Sequence, residues 1–205
     1  MKVVIVTQRV DALPERDEQR DALDQRLVKF LRCVGLLAVP VPNSLCRSVE
    51  DGPADRDVLD QWLTFVKPTG LVLSGGNDIG VYEERDRTEH RLLDYAQSLL
   101  LPALGICRGM QMMSVWAGSP LRKVAGHVRT RHQLTGTIAG DVNSYHDCGL
   151  VDCPRGFSVL ARSEDEEIEA ICHDALPWEG WMWHPEREEY FASRDVDRLR
   201  ALFAA

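Results

Sequence analysis

Three short segments hold residue types that do covalent chemistry when a fold brings them together. In Gly105-Ile106-Cys107-Arg108-Gly109 a cysteine has a glycine two positions away on each side, behind an apolar run and ahead of a stretch of helical character. A sharp turn there would expose the thiol and the small neighbours would leave it room. The free N–H groups and positive end of the following helix would favour thiolate. His184-Pro185-Glu186 follows the apolar Trp181-Met182-Trp183. A histidine so placed could take the thiol proton and return it to a leaving amine, while a carboxylate two residues on, across a stiff proline, orients the imidazole. Leu73-Ser74-Gly75-Gly76-Asn77-Asp78 offers paired glycines whose backbone can approach a ligand, so the N–H groups of Gly76 and Arg108 together could form an oxyanion hole. A buried structural cysteine, a surface His-Pro-Glu and an ordinary tight turn are the plain alternatives. Against them stands one coincidence: each segment closes an apolar strand, and active sites of open parallel sheets gather at the carboxyl ends of strands.

Those strands alternate with helices. Val3-Val4-Ile5-Val6 reads as a buried parallel strand, and Leu23, Leu27, Phe30, Leu31 and Val34 then recur at helical spacing until Gly35 stops them. Leu36 to Val41 is a second strand, Val58 to Val66 a second helix and Gly70 to Leu73 a third strand. Glu89 to Leu101 reads as helix, Pro102 to Ile106 as strand and Gly109 to Trp116 as helix. This succession predicts an α/β fold with a mainly parallel sheet flanked by helices. After Gly118 the pattern breaks into short β-like pieces, Leu134 to Ile138, Phe157 to Ala161 and Ile168 to Cys172, which predict a small antiparallel extension of the same domain. A strand at Gly180 to Trp183 and a helix from Asp195 to Phe203 close a single expected domain over residues 1–205.

Composition narrows the classes. Of 205 residues 44% are hydrophobic and 27% charged, which fits a soluble globular chain and neither a disordered nor a membrane protein. With 24 Lys plus Arg against 32 Asp plus Glu the net charge is −8, the wrong sign for unspecific binding to nucleic acid or an anionic membrane. The N-terminal apolar run is too short for a signal peptide, so a cytoplasmic location is expected, with Cys33, Cys46, Cys107, Cys148, Cys153 and Cys172 as thiols.

Several motifs together carry a resemblance: Thr7-Gln8-Arg9, Ser74 to Asp78, Gly105 to Gln111, Gly126-His127, Asn143-Ser144-Tyr145-His146, Ile168-Glu169-Ala170 and His184-Pro185-Glu186. Through them nearly the whole chain resembles the class I glutamine amidotransferase-like superfamily, specifically its γ-glutamyl hydrolase branch. The resemblance implies a flavodoxin-like core, a triad of Cys107, His184 and Glu186, and an oxyanion hole at Gly76 and Arg108. It also implies a glutamyl cradle from Gln111 and the Ser144, Tyr145 and His146 backbone, and no cofactor. Gln8-Arg9, Asp24-Gln25-Arg26, Thr130-Arg131-His132 and Trp183 to Glu188 make the chain look most like the hydrolases of γ-glutamyl-CDP-amidate in capsule phosphoramidate biosynthesis. The expected reaction is then hydrolysis of a γ-glutamyl amide through a thioester by a stand-alone enzyme. The alternative is a glutaminase subunit that passes ammonia to a synthase partner. Asp147-Cys148 departs from the family pattern, which commonly has Gln after Ser-x-His.

Other residues have weaker signals. Gly126 to His132 groups two arginines and two histidines in an expected loop, making Arg129 and Arg131 candidates for a diphosphate on the leaving group. The Arg108 side chain is a candidate for steering the substrate carboxylate. Trp178, Trp181 and Trp183 read as core, with stacking on a base left open. Glu164 to Glu167 reads as a solvated hairpin turn. His146, Cys148, Cys153, Cys172 and His173 match no common zinc spacing, and no metal is expected.

Overall fold

The computed structural model describes residues 1–46 and 58–204. In chain order its elements are β1 (Lys2–Val6), β2 (Arg9–Leu13), β3 (Glu18–Ala22), α1 (Gln25–Arg32), β4 (Leu36–Pro40), α2 (Val58–Val66), β5 (Gly70–Leu73), α3 (Glu83–Ser98), β6 (Ala103–Ile106) and α4 (Arg108–Trp116). There follow β7 (Leu121–Lys123), β8 (Val128–Gly136), β9 (Gly140–Tyr145), β10 (Cys148–Leu150), β11 (Phe157–Arg162), β12 (Ile168–His173), β13 (Trp178–Trp181) and α5 (Ser193–Leu202).

One nine-stranded sheet runs β4-β1-β5-β6-β13-β12-β11-β8-β9. Its first five strands are parallel, and from β12 onward the pairing is antiparallel. The expected α/β class holds, and the antiparallel pieces join the same sheet. Side chains alternate across it with the period of two that strands impose. Val4, Val6, Val72, Leu104 and Ile106 face α1 and α5. Ile5, Leu71, Leu73 and Ala103 face α2, α3 and α4. Asp24 caps α1, its carboxylate accepting from the Arg26 N–H at 2.8 Å.

Three features differ from expectation. A hairpin, β2–β3, occupies Arg9–Ala22, where Asp11 to Asp21 is too polar to show a strand period. The expected loop at Gly126 to His132 is mostly strand, because Val128 to His132 pairs with β9 around a bulge at Arg129, whose φ is +56°. Helix α3 begins at Glu83, a turn and a half before the apolar spacing shows it.

Candidate active site

The carboxyl ends of three adjacent parallel strands, β5, β6 and β13, carry Ser74-Gly75-Gly76, Cys107 and the segment leading to His184. Cys107 caps α4 with φ 52° and ψ −105°, a conformation that costs a non-glycine residue about 1–3 kcal/mol. Its backbone is fixed on both sides, the N–H donating to Trp181 O at 2.7 Å and the carbonyl accepting from Gln111 N at 3.1 Å. The flanking glycines serve packing more than clearance for the thiol. A Cβ on Gly105 would lie 2.6 Å from the Gly109 carbonyl carbon, and one on Gly109 2.2 Å from Leu73 O, so α4 can rest on β5 and β6 only with both glycines.

His184 is 2% exposed. Its Nδ1 meets Glu186 Oε1 at 2.6 Å, and its side chain is in hydrogen-bond contact with Cys107. Burial pulls the imidazole pKa down. The negative charge and hydrogen bonds of Cys107 and Glu186 outweigh it and carry the pKa up to about 9. A thiolate facing an imidazolium, with a buried carboxylate behind it, is an arrangement that can attack a carbonyl and protonate a leaving nitrogen. The Asn143 side chain clamps this histidine's backbone, accepting from His184 N at 3.0 Å and donating to His184 O at 2.8 Å.

Arg108 supplies the first N–H of α4, next to the thiol, where helix geometry leaves it without an intrahelical partner. The Arg108 side chain does not point toward a substrate. It is 1% exposed and pairs with Glu89 and Asp86 of α3. Glu89 in turn meets Arg85 Nε at 3.0 Å, and Arg85 donates to the carbonyls of Ser74 (2.9 Å) and Gly75 (3.0 Å) and to Asn77 Oδ1 (3.2 Å). Two arginines and two carboxylates thus tie the Gly75-Gly76 backbone to the residue after Cys107. The i,i+4 spacing of Arg85 and Glu89 was visible in the sequence, but the apolar pattern that marked the helix starts later.

The other expected site residues divide. Gln111 donates to Cys148 O at 2.8 Å. Ser144 Oγ donates to His127 O at 2.7 Å, and Tyr145, 40% exposed, sets its ring edge-on to His184 under the Arg187 guanidinium. The His146 side chain turns inward, away from the cleft, to the Cys148 carbonyl, His127 and Glu169. Arg131 is paired with Asp141 and with Glu188 at 3.1 Å, while Arg129 is exposed at its bulge. Trp178, Trp181 and Trp183 are buried and donate to protein acceptors, so none is free to stack on a base. The acidic turn is not wholly solvated: Asp165 reaches His127 Nε2 at 2.9 Å. Beside Gly75 and His184 opens a small cleft of about 30 Å³ bordered by Arg9, Asp24, Glu186 and Arg187. Sequence reasoning gave Arg9 and Arg187 no role of their own.

Residues 42–190 match the family model described as glutamine amidotransferase class-I. The chain belongs to that family. A glutamine-hydrolyzing GMP synthase subunit from Methanothrix thermoacetophila is 35% identical over 68% of this chain and 80% of its own. The γ-glutamyl-CDP-amidate hydrolase of Campylobacter jejuni is 30% identical over 58% of this chain and 62% of its own. A solved glutamine amidotransferase from Thermotoga maritima superposes with a TM-score of 0.61 at 16% identity, covering 98% of this chain and 83% of that one, a likeness of fold. Among the described residues no helix is long and apolar enough to cross a membrane.

Proposed function

We propose that this amidotransferase chain hydrolyses the side-chain amide of glutamine and that the ammonia released serves a synthase partner. The observation that carries this reading is the buried His184 between Glu186 and Cys107. The Cys107 thiolate attacks the amide carbonyl carbon, and the N–H groups of Gly76 and Arg108 receive the oxyanion. His184 gives its proton to the nitrogen as the C–N bond breaks, leaving a γ-glutamyl thioester and ammonia. It then takes a proton from water, whose oxygen displaces the thiolate and frees glutamate. Gln111 and the Ser144-Tyr145-His146 backbone cradle the glutamyl part. The relatives named as glutamine-hydrolyzing GMP synthase subunits, three of which the chain covers to about four-fifths of their length, support glutamine as donor over the stand-alone hydrolysis expected from the sequence.

A second reading, hydrolysis of a γ-glutamyl nucleotide conjugate without a partner, draws on the Campylobacter relative and on the cations at the cleft. In that case Arg9 and Arg187 border the space a leaving group would fill, whereas Arg131 would first have to leave Asp141 and Glu188. Assaying the purified chain against glutamine, with and without an added synthase, and against γ-glutamyl conjugates separates the two. Glutamine turnover that rises when the synthase is added supports the first. Rapid turnover of one conjugate with negligible glutaminase activity would replace it with the second.

A further inference from the structure

Away from the cleft, the start of β8 and the end of β9 fold over β12 and bring three histidines around one carboxylate. His127, His146 and Glu169 are at most 4% exposed, and His132 is 9% exposed. His127 Nδ1 lies 3.2 Å from His146 Nε2 and 3.2 Å from Glu169 Oε1, and His146 Nε2 lies 3.3 Å from that same oxygen. The remaining nitrogen of each of these two histidines is already held by an acceptor, His127 Nε2 by Asp165 at 2.9 Å and His146 Nδ1 by the Cys148 carbonyl at 3.0 Å. Those acceptors fix the ring protons on the far side. In that tautomer two imidazole lone pairs and a carboxylate oxygen face one another in a buried triangle, and the repulsion is relieved either by a further proton on His127, whose pKa Glu169 and Asp165 carry up to about 9, or by a metal ion in its place.

We propose that this triangle is a binding site for a divalent transition-metal ion, zinc fitting best. Its edges of 3.2–3.3 Å match the spacing of about 3.3–3.4 Å between donors at the corners of a tetrahedron around zinc at its usual 2.0–2.1 Å bond lengths. Neutral imidazoles whose second nitrogen is bound by a carboxylate or a backbone carbonyl are the usual support of histidine metal ligands. A shared proton would also relieve the triangle, but it would leave two further atoms unexplained. His132 Nε2 and Glu169 Oε2 are buried with no hydrogen-bond partner, and His132 and His127 offer donor atoms within 4.8 Å of one another and of Glu169. His132 adds a further candidate ligand to His127 and Glu169. His127 just before β8, His132 in β8, His146 just after β9 and Glu169 in β12 are together spread too far along the sequence to form any zinc spacing motif. Because Asn143 of β9 holds the His184 backbone, the ion would brace the strand behind the candidate active site without touching a substrate.

The test is metal analysis of the full-length protein, followed by removal of metal with a chelator and titration with zinc and then cobalt. The expected result is about one zinc per chain and a tetrahedral cobalt spectrum without a thiolate charge-transfer band, since no donor is sulfur. Glu169→Gln and His132→Ala should each weaken zinc binding at least tenfold. Should Glu169→Gln fail to fold, Asp165→Asn at the surface removes only the support of His127 and should weaken binding about 10- to 100-fold. A thiolate band in the cobalt spectrum, undiminished affinity in His132→Ala and Asp165→Asn, or no zinc bound at micromolar concentration would each overturn the site.

Discussion

Glu89 and Glu169 are both carboxylates with no exposed surface, and the company they keep differs in kind. Glu89 lies between the guanidiniums of Arg85 and Arg108, which are charged at any working pH. Burial alone would raise its pKa, and the two arginines overcome that and hold it below the ordinary carboxylate range. Glu169 is faced by imidazoles, whose charge is conditional. The first cluster carries its own fixed cations and suits backbone that must stay put, here the Gly75-Gly76 segment and the turn at Cys107. The second is balanced by imidazoles alone, and against burial His127 and His146 hold Glu169 below the ordinary carboxylate range only while they carry a proton.

The largest expected effect comes from breaking the complete cluster. Arg85→Met leaves Glu89 half paired and the Ser74 and Gly75 carbonyls without their donor, so it should lower unfolding free energy by about 3–5 kcal/mol and reduce turnover of the protein that remains folded. Urea titration and a glutaminase assay on the same sample check both. A loss under about 1 kcal/mol would mean the cluster is not what holds this backbone.

Glu186 is an intermediate case, a buried carboxylate with an imidazole at 2.6 Å and the Arg187 guanidinium at 3.9 Å. Glu186→Gln should lower kcat by on the order of tens to thousands of fold, less than loss of the thiol. The sign of the pH effect follows from His184, whose pKa in the folded chain is carried above the ordinary value to about 9. The ion pair is therefore fully present below the ordinary histidine pKa of about 6.5 and is lost as pH rises through about 9. The alkaline limb of kcat/KM should fall near pH 9 in the parent and at lower pH in Glu186→Gln. An unmoved limb would detach Glu186 from the histidine's charge.

Zinc sharpens the contrast between the clusters. At a hundredfold excess over the parent's Kd it should stabilise the chelator-treated parent by about 2.7 kcal/mol and Glu169→Gln by no more than about 1.4 kcal/mol, as thermal unfolding with and without zinc will read. The smallest effect belongs to Arg131→Ala. One partner, Asp141, is half-exposed and the other, Glu188, keeps its hydrogen bond from Asn143 at 2.7 Å, so stability should change by no more than about 1 kcal/mol and glutamine turnover should hold. A selective loss on a nucleotide conjugate would return Arg131 to substrate recognition.

What the sequence revealed and what it hid follow one physical division. Apolar runs flanked by glycine marked β1, β5, β6 and the turn at Cys107, because a buried parallel strand has to be apolar along its whole length. The strand β8, Val-Arg-Thr-Arg-His-Gln-Leu-Thr-Gly, has few apolar residues and little area to bury, so nothing local separates it from a loop. The hairpin β2–β3 is hidden for the same reason. Proximity in sequence to the nucleophile fixes only the backbone of Arg108, while its guanidinium answers to carboxylates on a helix some twenty positions earlier. Long-range pairings of this kind, like the histidine triangle, leave no periodic trace.

The proposed mechanism places the glutamyl group on Cys107. Acid-quenching the protein during glutamine turnover and sequencing its peptides by mass spectrometry tests this directly. The γ-glutamyl adduct is expected on the peptide holding Cys107 and absent from Cys107→Ala, which should be inactive yet folded. An adduct on any of the other five cysteines, or continued turnover by Cys107→Ala, would contradict it.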